Sequence, residues 1–458
     1  MSIPKEIIKA YQKGYRKFSW VSRLKEKKGD ISSCFEKSRS RFYGERFYWE
    51  TPEKDLILIG FGKELEITRE QASFTNLKTI TVIEREERYQ NQVVAGAGAV
   101  FFGGFPFDGT NQRASQWNEM AQGLFYLPTF MLTVNQTEQY LTLNFSAETE
   151  AELDEKWQAL QQIWREVTNQ PAAKTKTADN VLATEEMGVS DWLGLVAKTV
   201  EKIKEVGPLE KVVLARQMKV QQTQPFQAEE ILKNLRKQQN NTYFFVLESG
   251  KNVFIGATPE RLLAASKEEF STACVAGSIP RGKTLAEDEA LGNDLLRDEK
   301  NRQEHQIVVN RMITELKKMT NAPILEQQPQ LMKNRDIQHL FISIKVARQV
   351  GISFLDGVKA LHPTPALGGE PKELALDWIK ANELMNRGLY GAPIGWISVK
   401  EDIGEFAVGI RSAFFTGNEG YLYAGCGIVK DSQPDLEREE TKVKFKPMLR
   451  GIGGKSDV

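Results

Sequence analysis

The stretch that decides the fold runs from Glu405-Phe-Ala-Val-Gly-Ile-Arg411 to Gly420-Tyr-Leu-Tyr-Ala-Gly425. Short apolar runs bounded by turn residues predict an antiparallel pair of strands here. Further strands are predicted upstream at 212–214, 243–247, 254–256 and 262–265. Single helices do not separate these strands at regular intervals, so a doubly wound parallel sheet is not indicated. The sequence therefore predicts an α+β fold with large antiparallel β-sheets sandwiched by helices.

The chain divides into two halves around a polar segment. Residues 1–168 are strand-rich and end in a helix predicted over 149–168. Residues 169–189 are small and polar, which is typical of a linker or surface loop. In the half formed by residues 190–458, Ser190 is the expected N-cap of the first helix. Two more helices are predicted in this half, a long one over 285–319 and a last one over 435–446.

Composition excludes several classes of protein. The 458 residues carry 61 Lys and Arg against 61 Asp and Glu, so the basic footprint of a nucleic-acid-binding protein is missing. The three cysteines and three histidines are widely spaced, which disfavours a disulfide framework or a histidine-based metal site. No apolar run is long enough to span a membrane, and the N-terminus lacks an apolar signal core. We therefore expect a cytoplasmic protein without a nucleic-acid or membrane partner.

Carboxylates recur at helical spacing in two segments. Asn301 and Glu304 are three residues apart, as are Glu437 and Glu440, and Lys444 follows Glu440 by four. Side chains at these spacings share one helix face. If the two faces meet, they offer oxygen ligands of the kind that Mg²⁺ prefers. Spacing alone favours the simpler alternative of solvated faces with ordinary Glu–Lys pairs.

Three further polar residues lie next to apolar strands, and each has two interpretations. Lys211 heads a Val-Val-Leu strand and is either a surface residue or, when buried and neutral, a base. Glu260 is either a turn carboxylate or, in an apolar cleft, a general acid with a raised pKa. Arg411 follows a strand, and a buried arginine needs a carboxylate partner from the protein or from a substrate.

Nine segments, taken together and in order, resemble the chorismate-utilising enzymes. They are Lys211-Val-Val-Leu-Ala-Arg, Ala257-Thr-Pro-Glu-Arg-Leu, Ala276-Gly-Ser-Ile-Pro-Arg-Gly, Arg302-Gln-Glu-His, Leu361-His-Pro-Thr-Pro-Ala-Leu-Gly-Gly, Tyr390-Gly-Ala-Pro-Ile-Gly-Trp, Gly409-Ile-Arg411, Ala424-Gly-Cys-Gly-Ile-Val and Glu437-Arg-Glu-Glu440. The N-terminal half matches mainly at Phe101-Phe-Gly-Gly-Phe-Pro-Phe-Asp. The resemblance implies the fold of anthranilate and aminodeoxychorismate synthase component I, with both halves intertwined in one unit.

Within this family the residue types at two positions indicate the nucleophile. Lys211 resembles the lysine that family members adding water carry at this position, whereas members adding ammonia usually carry glutamine there. Alanine at 276 stands where aminodeoxychorismate synthases place a nucleophilic lysine. The loop around Ala366 is similar to that of isochorismate synthases, and the long N-terminal half to the menaquinone-pathway type. The alternatives are a salicylate synthase, a siderophore-pathway isochorismate synthase, an aminating enzyme and an inactive chorismate-binding protein.

The resemblance also implies a role for individual residues. Lys211 would deprotonate the water that attacks C2 of chorismate, and Glu260 would protonate the departing C4 hydroxyl. Glu304 and Glu440 would hold Mg²⁺, with Glu437 as a further or water-mediated partner, while Asn301 replaces an acid common at its position. The expected contacts with chorismate are Gly277, Ser278, Thr364, Ala366, Tyr390, Arg411, Gly425 and Lys444. No glutaminase subunit is expected, and the chain is predicted to be a monomer or weak homodimer.

Overall fold

The computed structural model describes residues 2–24, 32–111, 116–170, 182–205, 207–325 and 327–454. Within these ranges the α-helices are α1 (Lys5–Gln12), α2 (Ser32–Phe42), α3 (Phe74–Glu87), α4 (Glu150–Asn169), α5 (Val189–Lys204), α6 (Ala228–Gln238), α7 (Leu285–Arg297), α8 (Glu299–Leu316), α9 (Phe354–Leu361), α10 (Lys372–Asn382) and α11 (Pro434–Gly451). In this part of the chain no helix combines the length and the apolarity needed to cross a membrane.

The same ranges contain a large set of strands. They are β1 (Lys17–Arg23), β2 (Arg46–Glu50), β3 (Leu56–Thr68), β4 (Arg88–Gln90), β5 (Val100–Gly104), β6 (Leu124–Asn135), β7 (Glu138–Ser146), β8 (Ala183–Glu186), β9 (Lys211–Gln221), β10 (Tyr243–Ser249), β11 (Asn252–Thr258), β12 (Arg261–Ala265), β13 (Glu269–Pro280), β14 (Gln330–Lys333), β15 (Ile337–Ala347), β16 (Gly369–Glu370), β17 (Pro393–Ser398), β18 (Gly404–Val408), β19 (Ser412–Thr416) and β20 (Glu419–Ile428).

Strand β6 is the junction of two antiparallel arms. One of its edges pairs with β3, and the other pairs with β7 over residues 130–135 and with β5 over residues 124–126. From β3 the first arm continues through β2, β10, β11, β19 and β20 to β9. From β5 the second arm continues through β17, β18, β12, β13 and β15 to β14. This arrangement confirms the predicted α+β class with large antiparallel sheets.

Strands from the two ends of the chain pair directly with each other. Strand β2 pairs with β10, and β5 pairs with β17. Aromatic side chains from both ends also share a buried core, where the Phe406 ring lies 5.7 Å from Phe105 and 6.1 Å from Phe125. Of the segment 169–189, residues 171–181 lie outside the described residues, and β8 pairs with β9.

The predicted pairing of 405–411 with 420–425 is wrong. Strand β18 pairs with β12 and β17, whereas β20 pairs with β19 and β9. The chain leaves the second arm after β18 and enters the first arm at β19, so these neighbouring strands belong to different arms. The step between them requires a left-handed backbone at Arg411, with φ of 49°. Arg411 therefore lies in this break and not on a strand.

Two boundary predictions also need correction. The helix predicted over 285–319 is two helices, because Asp298 adopts an extended conformation and caps α8 by accepting a hydrogen bond from the Asn301 N–H. Helix α5 begins at Val189, so Ser190 lies in its first turn and is not the N-cap.

Candidate functional site

A cavity of about 650 Å³, partly open to solvent, lies where β9, β13 and β20 face α8 and α11. Ten of the residues predicted from the sequence line it: Glu260, Gly277, Ser278, Glu304, Ala366, Tyr390, Arg411, Gly425, Glu440 and Lys444. Lys211, Thr364 and Glu437 are not part of this lining, although Lys211 contacts the lining residue Glu304. The fold thus gathers side chains that are up to 184 residues apart in the sequence, from Glu260 to Lys444.

Lys211 is buried at the head of β9, with 1% of its side chain exposed. Its Nζ lies 2.9 Å from Glu304 Oε1, which lines the cavity. Gly427 on the neighbouring strand β20 leaves room for this pair. A Cβ at 427 would lie 2.6 Å from Lys211 Cε and 3.0 Å from Glu304 Oε1. The interpretation of Lys211 as a surface lysine is therefore wrong.

Glu304 projects from α8 and carries a negative charge in the cavity wall. Burial acts to raise its pKa, but the charge and hydrogen bond of Lys211, together with Lys444 and Lys300, hold that pKa below its ordinary value. The break at Asp298 sets where α8 begins and so which of its side chains face β13 and the cavity.

Glu260 lies in the turn between β11 and β12 and is 4% exposed. Its backbone carbonyl accepts a hydrogen bond from the Val408 N–H at 3.0 Å, which fixes the turn against β18. Burial raises the pKa of Glu260 to about 8, although the charges of Arg411, Lys211 and Lys444 act against this rise. At neutral pH the carboxyl is therefore protonated and able to donate a proton.

Arg411 presents a cation without a counterion. It is partly buried in the cavity wall, and its guanidinium makes no hydrogen bond or ion pair with any described residue. Burial lowers the pKa of Arg411, and electrostatic interactions with Tyr390, Glu440 and Glu260 offset only part of this lowering. An unpaired buried guanidinium favours a bound anion, most of all a carboxylate.

Helix α11 brings a row of charged side chains to the opposite wall. Lys444 Nζ donates to the Gly425 carbonyl at 2.9 Å and lies 2.5 Å from Glu440 Oε1. Glu437, one turn earlier, is buried, and burial together with the charge of Glu440 raises its pKa. Across the described residues, no three His, Cys, Asp or Glu side chains form a complete metal site.

The wall next to Glu304 contains a β-bulge. The pairing of β13 with β15 shifts register between Ala276 and Ser278, and Gly277 takes a φ of 74°. Asn301 holds this bulge, because its Oδ1 accepts a hydrogen bond from the Ser278 N–H at 3.1 Å and its Nδ2 donates to Asp298 Oδ1 at 2.7 Å. Asn301 therefore supports the cavity wall from behind.

The remaining predicted residues come from two loops. Thr364 is buried, and its Oγ1 has no hydrogen-bond partner among the described residues. Ala366 lines the cavity from the same loop, in which His362 Nε2 lies 3.2 Å from the Phe107 carbonyl. The Tyr390 ring stacks on that of Tyr423 at 5.1 Å.

Sequence reasoning missed His339 as a residue of the site and did not predict the structural role of Gly427. His339 on β15 lines the cavity because the bulge register places it opposite Ser278. Burial lowers the pKa of His339 to about 3, so its imidazole is neutral. Gly427 on β20 leaves room for the side chain of Lys211 on the neighbouring strand β9. Neither residue carries a local signal, because both act through pairings between distant segments.

The family follows from a comparison over nearly the whole chain. A family model described as "Chorismate binding enzyme" matches residues 6–453. The chain belongs to this family. A chorismate binding enzyme of Bacillus subtilis, named isochorismate synthase MenF, is 38% identical over 436 residues, covering 93% of this chain and 91% of that protein.

Two solved structures support the fold. MenF, the menaquinone-specific isochorismate synthase from Escherichia coli, superposes with a TM-score of 0.81 at 24% identity and covers 98% of both chains. Anthranilate synthase component I from Streptococcus pneumoniae superposes with a TM-score of 0.69 at 20% identity, covering 86% of this chain and 92% of that one. The predicted similarity to the component I fold is thus confirmed.

Proposed function

We propose that this enzyme is an isochorismate synthase, an isomerase that adds water at C2 of chorismate and removes the hydroxyl at C4. The observation that carries this proposal is a buried acid that lines the cavity, together with a buried amine that contacts a second carboxylate of the lining. Glu260 has a pKa of about 8, and Lys211 reaches the cavity through Glu304. The 38% identity with the Bacillus subtilis isochorismate synthase supports the same reaction and favours the menaquinone pathway.

Glu260 acts as the general acid. A hydroxyl is a poor leaving group, and its departure from C4 as water requires a proton from a group that is protonated at neutral pH. Burial gives Glu260 that property, because a pKa of about 8 keeps most of the carboxyl protonated at pH 7. A solvent-exposed glutamate would be ionised and unable to donate.

Lys211 acts as the base that takes a proton from the attacking water. A base must have a free lone pair, whereas the Lys211 amine is engaged by Glu304 at 2.9 Å. The contact between Lys211 and Glu304 therefore opens in the reacting complex. Any group that pairs with the negative charge of Glu304 in place of Lys211 promotes this opening. Gly427 leaves the space in which the amine can move.

The substrate carboxylates bind to the cationic part of the cavity. Arg411 is the primary anchor, because its guanidinium has no partner among the described residues. Tyr390 and Lys444 flank it, and the backbone near Gly425 adds further donors. The other proposed contacts are Gly277, Ser278, Thr364 and Ala366.

Two carboxylates of the cavity suit a magnesium ion. Glu304 and Glu440 are oxygen ligands on facing helices, and Mg²⁺ is commonly held by one or two carboxylates while it keeps several waters. We propose these two as ligands, with the buried Glu437 behind them as a partner through water. Bound there, the ion would supply positive charge to a substrate carboxylate.

The test is incubation of the purified protein with chorismate and Mg²⁺, with the products separated by chromatography. We expect isochorismate without pyruvate and without a requirement for ammonia, lost on chelation of the metal. Lys211→Ala is expected to lower kcat by about 10²–10⁴-fold, the range for loss of a general base. Lys17→Ala is the matched control, because Lys17 also heads a strand and pairs with glutamates but lies away from the cavity.

Three of the alternatives give different results in this assay, whereas a siderophore-pathway isochorismate synthase would form the same product. Salicylate with pyruvate would identify a salicylate synthase, and a product formed only with ammonia would identify an aminating enzyme and overturn the interpretation of Lys211. A change in melting temperature with chorismate but without turnover would indicate a binding protein. Normal activity of a folded Lys211→Ala variant would exclude Lys211 as the base.

A further inference from the structure

A second, smaller cavity lies behind the wall of the active-site cavity. Pro259, His339 and Arg411 line both cavities and form the partition between them. On the far side the smaller cavity is bounded by Gln239 at the end of α6 and Thr242 before β10. We call this smaller cavity the polar chamber.

The polar chamber is lined by hydrogen-bonding atoms that lack partners among the described residues. These atoms are Gln239 Nε2, Thr242 Oγ1, Asn334 Oδ1 and His339 Nε2. Gln239, Thr242 and His339 are each more than nine-tenths buried. Buried polar groups are nearly always hydrogen-bonded, so four such atoms around one cavity indicate a bound polar guest.

The chemistry of these atoms indicates the guest. Gln239 Nε2 is a donor, Asn334 Oδ1 is an acceptor and the Thr242 hydroxyl is both. The imidazole of His339 is neutral and hydrogen-bonds the backbone of Gly277, which leaves Nε2 as a lone-pair acceptor. Mixed donors and acceptors suit water, which is neutral and has both.

The size of the chamber agrees with this guest. Its volume is about 320 Å³, about half that of the active-site cavity, and it is likewise partly open to solvent. Water can therefore enter the chamber. Genuinely empty cavities are apolar, whereas this one has a polar lining.

We propose that the polar chamber is a water-binding site that serves the reaction in the adjoining cavity. This role rests on the proposed isochorismate synthase function. In that reaction one C–O bond forms at C2 from a water that loses a proton to Lys211. Another C–O bond breaks at C4, and its oxygen takes the proton of Glu260 and leaves as water. One water enters and one leaves in each turnover, and the second is released beside Glu260, next to the Pro259 partition.

The first test is a crystal structure of the unmodified protein at a resolution that shows ordered water. We expect water within about 2.7–3.2 Å of Thr242 Oγ1 and of His339 Nε2. A dry chamber would overturn the proposal. This test does not depend on the reaction, so it separates the water site from the proposed function.

The second test replaces the Thr242 hydroxyl with a methyl group. If water satisfies this hydroxyl, Thr242→Val lowers the unfolding temperature; an unsatisfied hydroxyl would give the opposite sign, because its removal relieves a buried polar group. Thr133→Val is the control, because Thr133 is buried on β6 and its Oγ1 donates to the Gly96 carbonyl at 2.6 Å. This control is expected to lower the unfolding temperature.

Kinetics decide whether the water serves the reaction. Thr242→Val is expected to lower kcat about fivefold, as the loss of one ordinary hydrogen bond would, with the KM for chorismate nearly unchanged. Thr133→Val is expected to keep the original kcat. An unchanged kcat in Thr242→Val would refute the role in the reaction, and absence of isochorismate from the unmodified protein would instead refute the proposed function.

Discussion

Replacing Glu260 with glutamine tests the acid, because stability and activity should change in opposite directions. In the folded protein burial raises the pKa of Glu260 to about 8, against an ordinary value of 4.5. Between these two pH values the native protein keeps a proton that the unfolded chain releases. The free energy of unfolding therefore falls as pH rises from 4.5 to 8, and Glu260→Gln removes this loss.

The magnitude follows from the size of the pKa shift. Each pKa unit corresponds to about 1.4 kcal/mol, so Glu260→Gln should be more stable than the unmodified protein by about 3 kcal/mol at pH 7. The difference should reach about 5 kcal/mol above pH 8 and vanish below pH 4.5. The amide cannot donate a proton as the acid does, so we expect isochorismate formation to fall by about 10²–10⁴-fold. Activity of the unmodified protein should decline as pH rises through about 8.

The assay is denaturant unfolding of both proteins across this pH range, together with the product assay. Glu84→Gln is the control of opposite sign, because Glu84 is buried but its pKa is lowered by Arg88 and Lys17. The stability from Glu84 is present above pH 4.5 and is lost as pH falls, so Glu84→Gln should be destabilising at pH 7. A stability difference for Glu260→Gln that is independent of pH, or a fully active variant, would refute the reasoning.

Three further predictions concern the rest of the cavity. Gly427→Ala should lower kcat by at least about 100-fold, since the new Cβ would lie 2.6 Å from Lys211 Cε. The control is Gly194→Ala on an exposed face of α5, where a Cβ meets nothing within 4 Å; this variant should stabilise the fold by about 0.5–1 kcal/mol and keep full activity. Arg411→Ala should raise the KM for chorismate about 10- to 100-fold, the effect of losing a charge-assisted hydrogen bond, and an unchanged KM would exclude Arg411 as the anchor. Chelation of the metal should abolish turnover, Mg²⁺ should restore it, and Mg²⁺ should raise the unfolding temperature of the protein but not that of a Glu304→Gln variant; activity after exhaustive chelation would contradict the proposed ligands.

Sequence reasoning worked best where local pattern and structure coincide. The amphipathic helix predicted over 149–168 is α4, and the apolar run 243–247 lies in β10. Both predictions succeed because the spacing of apolar residues shows which side chains are buried. Lys211 and Glu260 were singled out by position next to apolar strands and by resemblance, and both are buried. Whether they act as base and acid stays a prediction.

The features that could not be predicted depend on contacts between distant segments. The left-handed backbone at Arg411 exists because the chain crosses from one arm of the sheet to the other, and no local pattern shows that crossing. His339 enters the cavity through its register with β13. The break at Asp298 is different, since aspartate is a preferred N-cap residue, a local signal that the long helical periodicity concealed.

If the proposed function holds, the charges of the cavity explain why a dicarboxylate substrate would require a divalent cation. Lys211 is paired with Glu304 and Lys444 with Glu440, while Glu260 is neutral at pH 7. Arg411 is then the one cation of this group without a partner, and it can neutralise one carboxylate. Chorismate carries two carboxylates, so the second would enter a cavity with no free positive charge of this group, at a considerable cost in desolvation. A divalent cation on Glu304 and Glu440 would remove this deficit. It would also compete with Lys211 for the negative charge of Glu304. Substrate binding and activation of the base would therefore depend on the same ion.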